Sequence, residues 1–513
     1  MKLKILCTSD IHGYLAPTNY VKPNENMPFG LEKAATTIKQ EQKDSDHTLI
    51  LDDGDFLEGS PLAYYSAEVV KHPSTKPINA AYDTINYDFG SLGNHEFNYG
   101  QAYLKDTIQN TKRQFVCANI LNENGEPAFG KPYAIKDFGD LKVGVLGLTT
   151  QAINQWENKA NVKGLQFKSG LETAQKYVPI MKKEADIIVV LYHGGFERDK
   201  AGKLSEKFTG ENESYQILEQ VPGIDALVTG HQHRKLANHL FGVPYVQPGH
   251  RGNYVGKITL DIDDDKKVTN SDAKLISTAQ NKPYQPTKSI VDPIDQQVER
   301  WLSKPLSKIN GSLRYKDPFK VRTQGSSFIN FIQRVQMETM GVDISATALF
   351  TDEAHGFENP ITMRNIITNY VYPNTLAVLN INGKDLKAAL EKTAEYFALK
   401  DKQIIVNPAY SYPKHRDYNY DMYAGIDYTI DVSKPVGSRI TNLTYHGRPV
   451  KDQQPLKIVL NAYRAVGGGH YSMYDESKIV SYNTITMSNL IAKYLQSHPI
   501  IDANNRQNFK VIS

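Results

Sequence analysis

The placement of polar residues constrains this chain more than any other feature of its sequence. In the first half, clusters of Asp, Asn and His fall at successive strand ends, where apolar and β-branched runs give way to glycine. The apolar runs occupy positions 3–7, 48–51, 141–148, 187–191 and 226–228. Short runs of this kind, bounded by turn residues, read as buried strands. Positions 30–43 and 171–184 carry helical patterning between them. Strand and helix in alternation predict an α/β fold of stacked sheets covered by helices. Open sheets of that class gather ligands at the carboxyl ends of their strands, where these clusters lie.

The clusters are Ser9-Asp10-Ile11-His12-Gly13, Asp52-Asp53-Gly54-Asp55, Gly93-Asn94-His95-Glu96, Tyr192-His193-Gly194-Gly195 and Gly230-His231-Gln232-His233. Asp-x-His and His-x-His each put two donors on one side of an extended turn, and neighbouring glycines let the backbone come close to an ion. Carboxylate and amide oxygens mixed with imidazoles suit Mn, Zn, Fe or Co rather than Ca or a thiolate-bound ion. Turn chemistry explains one such cluster well, but not five at five strand ends. Other chemistries lack their signatures. No glycine loop ends in Lys-Ser/Thr, and no cysteine pair suits structural zinc. Gly467-Gly468-Gly469 lacks a dinucleotide fingerprint and reads as a tight loop near a ligand.

With 40% hydrophobic and 22% charged residues, the chain is neither disordered nor fibrous. Its 59 basic and 56 acidic residues leave a net charge of +3, which offers no field for a nucleic-acid polymer or an anionic membrane. Cys7 and Cys117 cannot build a disulfide framework, and each lies in an apolar run that reads as buried strand. No run approaches the ~20 apolar residues of a membrane span. The stretch after Met1 is too short for a signal-peptide core. The sequence as it stands predicts a cytoplasmic protein, with an exported and processed precursor as the alternative.

Positions 256–262 and 268–277 flank an Asp263-Asp264-Asp265-Lys266 turn and read as a closing hairpin. The stretch 279–289 is polar, carries Pro283 and Pro286, and reads as a linker. A connecting helix is expected to start at Asp292 as N-cap, with Pro293 in its first position, and to stop before Pro305. These signals divide the chain into a first domain over 1–280, a linker and connecting helix over 281–306, and a second, smaller α/β domain over 307–513. The second domain is expected to hold helices at 326–340 and 383–398, a strand at 375–381, and several Tyr-rich strands.

Asp10-Ile11-His12, Gly54-Asp55, Gly93-Asn94-His95-Glu96 and Gly230-His231-Gln232-His233 resemble the motifs of the calcineurin-like metallophosphoesterases. With the length and the second domain, the resemblance narrows to their 5′-nucleotidase family and runs nearly end to end. Tyr372-Pro373-Asn374-Thr375-Leu376, Tyr418-Asn419-Tyr420-Asp421 and Asn461-Ala462-Tyr463-Arg464-Ala465 are similar to segments of its bacterial 2′,3′-cyclic-nucleotide 2′-phosphodiesterase/3′-nucleotidase branch. The resemblance implies a four-layer αββα catalytic domain, a nucleotide-binding second domain, two divalent metal ions and hydrolysis of a small nucleotide substrate. It implies Asp10, His12, Asp55 and His233 around one ion. Asp55, Asn94, His193 and His231 would surround the other, with Asp55 shared. His95 would be the non-ligand histidine beside the scissile phosphate.

Two departures from the family pattern bear on activity. Many members carry Asp three residues after the catalytic histidine, where this chain has Asn98. An amide can orient His95 but does not raise its pKa as a carboxylate would. The cyclic-nucleotide branch resembles this chain at that position. There is also no Gly-Gly-Ile-Arg segment; the region reads Asp343-Ile344-Ser345-Ala346-Thr347-Ala348-Leu349-Phe350, which argues against a plain 5′-nucleotidase. Implied substrate contacts fall in the second domain. They are Tyr418 in a tyrosine-rich strand, Tyr471 after the glycine run, and Asn461 and Arg464 beside it. Either tyrosine would offer a stacking face that tolerates any base, and the active cleft is expected between the domains.

Overall fold

The computed structural model describes residues 1–206 and 208–513. The chain divides into two compact units, Met1–Val298 and Glu299–Ser513. The first is built on two six-stranded sheets. In one, Lys2–Thr8, His47–Asp52, Phe89–Gly90 and Gln114–Phe115 run parallel, and the hairpin Tyr254–Ile262 and Val268–Ser277 joins antiparallel beside Lys2–Thr8. In the other, Lys142–Thr149, Ile187–His193, Ala226–Thr229 and Val243–Pro248 run parallel between the antiparallel edges Tyr133–Asp137 and Lys235–Leu240.

Strand side chains alternate between faces, so each sheet can feed two cores. Leu3, Ile5 and Cys7 meet Val143, Val145, Val189 and Leu191 in the layer between the sheets. The alternate residues Leu146, Ile188, Val190 and Leu227 pack against Val178 and Met181 of the helix Gly170–Met181 and Ile217 of the helix Ser214–Gln220. The helix Leu31–Glu41 covers Lys2–Thr8 and buries Leu31, Ala34, Ala35 and Ile38. Because both faces are covered, Ile187–His193 is buried at every position, which explains its unbroken apolar run. This is the expected αββα sandwich.

The connecting helix differs from expectation. It begins at Gln285 rather than Asp292 and runs to Leu302, with Pro286 in its first turn and Pro293 inside it. A proline in the first turn forfeits no hydrogen bond. Buried Val291, Val298 and Leu302 carry one apolar stripe past the second proline, and packing of that stripe outweighs the local stop signal. Only residues 279–284 of the expected linker are irregular, and the division between units falls within the helix. Cys117 also lies just beyond the short strand Gln114–Phe115 rather than in a strand, although both thiols are buried and free.

The second unit has a five-stranded sheet in the order Asp421–Ala424, Ile344–Ala348, Pro455–Asn461, Leu376–Asn382, Ile479–Tyr482. The helices Ser327–Met340 and Gly383–Ala394 pack on it. Ser326 caps the first, and Asn382 with Asp385 forms a reciprocal capping box on the second. The second helix ends at Ala394 and not at 398. Tyr396 and Phe397 are drawn into the core there, and Phe397–Lys400 pairs with Gln403–Val406 across a tight turn. Among the described residues, no helix is long and apolar enough to cross a membrane.

Candidate metal centre

The five clusters converge at one end of the two sheets of the first unit. The third follows Phe89–Gly90, a strand of only two residues, and the run ending at Thr149 contributes no cluster. Backbone bonds tie the first two loops together: the Asp10 N–H donates to Gly54 O at 2.9 Å and the His12 N–H to Asp55 O at 2.8 Å. Close approach explains the glycines. A Cβ at Gly93 would sit 2.2 Å from Asp55 Oδ1, and one at Gly230 would sit 2.2 Å from Ser9 Oγ and 2.8 Å from Asp10 Oδ2. Asp10, His12, Asp55, His231 and His233 all adopt left-handed backbone, with φ from 51° to 65°. Each such residue costs about 1–3 kcal/mol, and strain of this kind concentrates at functional sites.

Asp10, His12 and His233 each offer one donor atom within 4.8 Å of the others, and Asp55, His193 and His231 form a second such group. Asp55 Oδ2 lies 3.1 Å from His193 Nε2 and 4.0 Å from His12 Nε2, so it faces both groups. Asp10 Oδ1 is 3.3 Å from His233 Nε2 and 3.9 Å from both His12 Nε2 and His193 Nε2. Asp55 Oδ2, Asn94 Oδ1 and His193 Nε2 are buried without a hydrogen-bond partner; the 3.1 Å approach lacks hydrogen-bond geometry. Leaving a buried polar atom unpaired costs about 1–3 kcal/mol, a cost that a coordinated cation removes. Carboxylate, amide and imidazole donors without thiolate fit two divalent first-row ions.

The electrostatics agree with that fit. Burial alone would raise the Asp55 carboxyl, but His193, His95 and His12 hold it well below the usual carboxylate range. Burial would likewise lower His193, yet Asp55 and Asp10 raise it well above an ordinary imidazole. The same negative surroundings that favour a charged imidazole would favour a cation, and a ligating His193 would have to be neutral.

His95 lies beside these groups. Its backbone N–H donates to Asp55 Oδ1 at 2.7 Å, and its Nδ1 lies 2.7 Å from Asn98 Oδ1 and 3.1 Å from Glu58 Oε2. Asn98 Nδ2 donates to Glu157 Oε2 at 2.7 Å. Asn98 orients the ring as expected, and Glu58 places a carboxylate beside it. Burial would lower the imidazole, but Asp55 and Glu58 push it up to about 10. Glu96 accepts the N–H groups of Asp55, Phe56, Leu57 and Gly93 and so fixes the loop that carries Asp55. Glu96 was visible in its cluster. Glu58 and Glu157 carry no local signal, because loop packing alone brings them to His95.

In the second unit, three of the four expected substrate contacts, Tyr471, Arg464 and Asn461, lie in the interior. Tyr471 is fully buried; its hydroxyl donates to Asn419 O and meets Thr393 Oγ1, and the Arg464 guanidinium lies 4.0 Å from its ring centre. Tyr474 runs parallel to it, so neither face is open to a base. Arg464 is also fully buried and pairs with Asp421, as a desolvated charge must. Asn461 caps the short helix Ala462–Ala465 through the Arg464 N–H. These three residues build the support of the glycine run, where the exposed ring is His470. Tyr418 lies in the turn Asp417–Asn419, not in a strand, and is half-buried with its ring edge-on to Tyr372.

Two packed sheets with candidate metal donors at one end, followed by a separate α/β unit, define a two-domain metallophosphoesterase. Residues 3–235 match the profile of the calcineurin-like phosphoesterases, and residues 309–476 match that of the 5′-nucleotidase C-terminal domain. A 2′,3′-cyclic-nucleotide 2′-phosphodiesterase/3′-nucleotidase of Haemophilus influenzae is 30% identical over 91% of this chain and 80% of its own length. The trifunctional nucleotide phosphoesterase YfkN of Bacillus subtilis is 27% identical over 99% of this chain, which spans 39% of that longer protein. The crystal structure of a candidate 5′-nucleotidase from Staphylococcus aureus, in complex with alpha-ketoglutarate, superposes over the full length of both chains with a TM-score of 0.94 and 37% identity. This chain belongs to the calcineurin-like phosphoesterases that carry a 5′-nucleotidase C-terminal domain, and it is a metal-dependent phosphoric ester hydrolase.

Proposed function

We propose that this hydrolase acts on 2′,3′-cyclic nucleotides and 3′-nucleotides. Asp10, His12, Asp55 and His233 would hold one divalent ion, and Asp55, Asn94, His193 and His231 the other. The observation that carries this reading is the set of buried atoms that make no hydrogen bond, Asp55 Oδ2, Asn94 Oδ1 and His193 Nε2, with His95 held beside them. Bound ions would polarise the phosphoryl group and supply a water-derived nucleophile at neutral pH.

The remaining steps belong to side chains. Asn98 and Glu58 occupy His95 Nδ1 and leave Nε2 for the substrate. From there a protonated His95 donates to the non-bridging phosphoryl oxygens as charge moves onto them, then protonates the departing ribose oxygen. Opening the cyclic ester yields a 3′-nucleotide, and a second hydrolysis at the same centre releases the nucleoside. Tyr418 is proposed as a stacking surface for the base.

The named Haemophilus relative supports this substrate choice. So does the strand Ile344–Ala348, which is wholly buried and carries no cation to hold a 5′-phosphate. A 5′-nucleotidase is the second reading, favoured by the likeness to the Staphylococcus aureus structure. Mn²⁺-dependent hydrolysis of 2′,3′-cyclic AMP, 3′-AMP and 5′-AMP separates the two. The first reading requires kcat/KM for the cyclic and 3′ substrates to exceed that for 5′-AMP, and the reverse order replaces it with the second. Elemental analysis tests the shared carboxylate: two ions in the wild type, neither in Asp55→Ala, and loss of mainly one in Asp10→Ala.

A further inference from the structure

Glu211 lies outside every polar cluster of the sequence, yet its Oε1 is 2.8 Å from His231 Nε2. We infer that Glu211 is the positioning residue of His231: its carboxylate holds the Nε2 proton, so that Nδ1 becomes the nitrogen turned to the metal centre. The inference rests on the two-metal reading above and extends it to a residue that neither the motifs nor that reading assigns.

An ionised carboxylate only accepts hydrogen bonds, so the facing ring nitrogen must carry the proton. A neutral imidazole then keeps its lone pair on the opposite nitrogen. His12 and His193 are held the other way round. His12 Nδ1 donates to Glu58 O at 2.9 Å and His193 Nδ1 to Asp53 O at 2.5 Å, which leaves Nε2 of each as the donor atom. The three histidines thus use different nitrogens, and His231 leans on a charged acceptor where the other two lean on backbone carbonyls. A carboxylate behind a ligating imidazole fixes its tautomer and strengthens it as a donor.

Glu211 is itself fixed in place. Its carbonyl accepts Thr150 Oγ1–H at 2.7 Å, and Asn212 Oδ1 accepts the Gly195 N–H at 2.6 Å, two residues beyond His193. Gln232, between the two ligand histidines, clasps the Phe196 backbone: it accepts from N–H at 3.0 Å and donates to O at 3.1 Å. The segment bearing Glu211 therefore joins the loop of His193 to the loop of His231. The Glu211 side chain is 33% exposed, so truncating it opens no cavity in the core.

The test uses full-length protein labelled with ¹⁵N-histidine and loaded with Zn²⁺, and chelator competition to measure the affinity of each ion. Long-range ¹H–¹⁵N spectra, assigned against His231→Asn, should show His231 as the Nε2–H tautomer. Glu211→Ala should weaken one of the two ions by about 10–100-fold and leave the other unchanged. Glu211→Gln, whose amide oxygen still accepts the Nε2 proton, should recover most of that loss. Unchanged affinity for both ions in Glu211→Ala, or an Nδ1–H tautomer in the wild type, overturns the inference. Fewer than two ions in the wild type would instead remove the two-metal reading on which it stands.

Discussion

His12 Nε2 and His233 Nε2 point at each other across 3.0 Å. His12 gives its Nδ1 proton to the Glu58 carbonyl, so its Nε2 presents a lone pair, and burial holds its pKa well below that of ordinary histidine. That nitrogen needs a proton from His233 or a cation. Chelator-stripped protein should therefore melt below protein with excess Mn²⁺ or Zn²⁺. An ion at one hundred times its Kd adds about 2.7 kcal/mol. Identical melting curves with and without ion would mean that no ion binds the folded state here.

His95 donates its backbone N–H to Asp55, and its ring is held by Asn98 and Glu58. Accordingly, His95→Asn should keep both ions and lose on the order of 10²–10³ in kcat, the usual effect of removing one transition-state donor. Elemental analysis beside steady-state kinetics checks both halves. A variant that loses metal would make His95 a ligand.

Tyr418 and Tyr471 should behave oppositely. Tyr471→Ala empties a buried site packed against Arg464, costs about 3–5 kcal/mol of stability, and lowers activity on every substrate together. Tyr418→Ala should keep the melting temperature and raise KM for cyclic nucleotides. Hydrolysis of bis-p-nitrophenyl phosphate should stay within a few-fold, since that substrate has no base to stack. Equal loss on both substrates in Tyr418→Ala would give that ring a supporting role.

Glu32 is buried with its Oε1 unpartnered, and burial pushes its carboxyl from 4.5 up to about 8 against the pull of Lys288. Between those values the folded chain retains a proton that the unfolded chain has released, so this group lowers stability as pH rises through the window. Glu32→Gln removes the effect. The melting-temperature difference, variant minus wild type, should become more positive from pH 5 to pH 8.5. A difference that stays constant with pH would show that Glu32 ionises normally in the fold.

The candidate metal donors were legible because their chemistry is local. Asp10-Ile11-His12 and His231-Gln232-His233 each place two donors within one turn, while Gly93 and Gly230, read as room for an ion, in fact make room for Asp55, Ser9 and Asp10 of other loops. Helix-covered stacked sheets were legible for a similar reason, since a strand covered on both faces, such as Ile187–His193, must be apolar throughout, whereas the four-layer αββα order came from the family resemblance. Tertiary structure alone decided the rest. Glu211 stands 20 residues from His231, and Glu157 stands 59 from Asn98; no periodicity links such pairs, because their meeting depends on which loops share one end of the sheets. Tyr471 and Arg464 carry side chains suited to a nucleotide, yet Asp421 and Asn419 claim them for the interior. Pro293 announced a helix start that the buried stripe of Val291, Val298 and Leu302 overrode. Sequence determined which chemistry this protein could hold, since donor type and spacing are covalent. Packing determined which atoms face it, since burial and partnership exist only once the chain has folded.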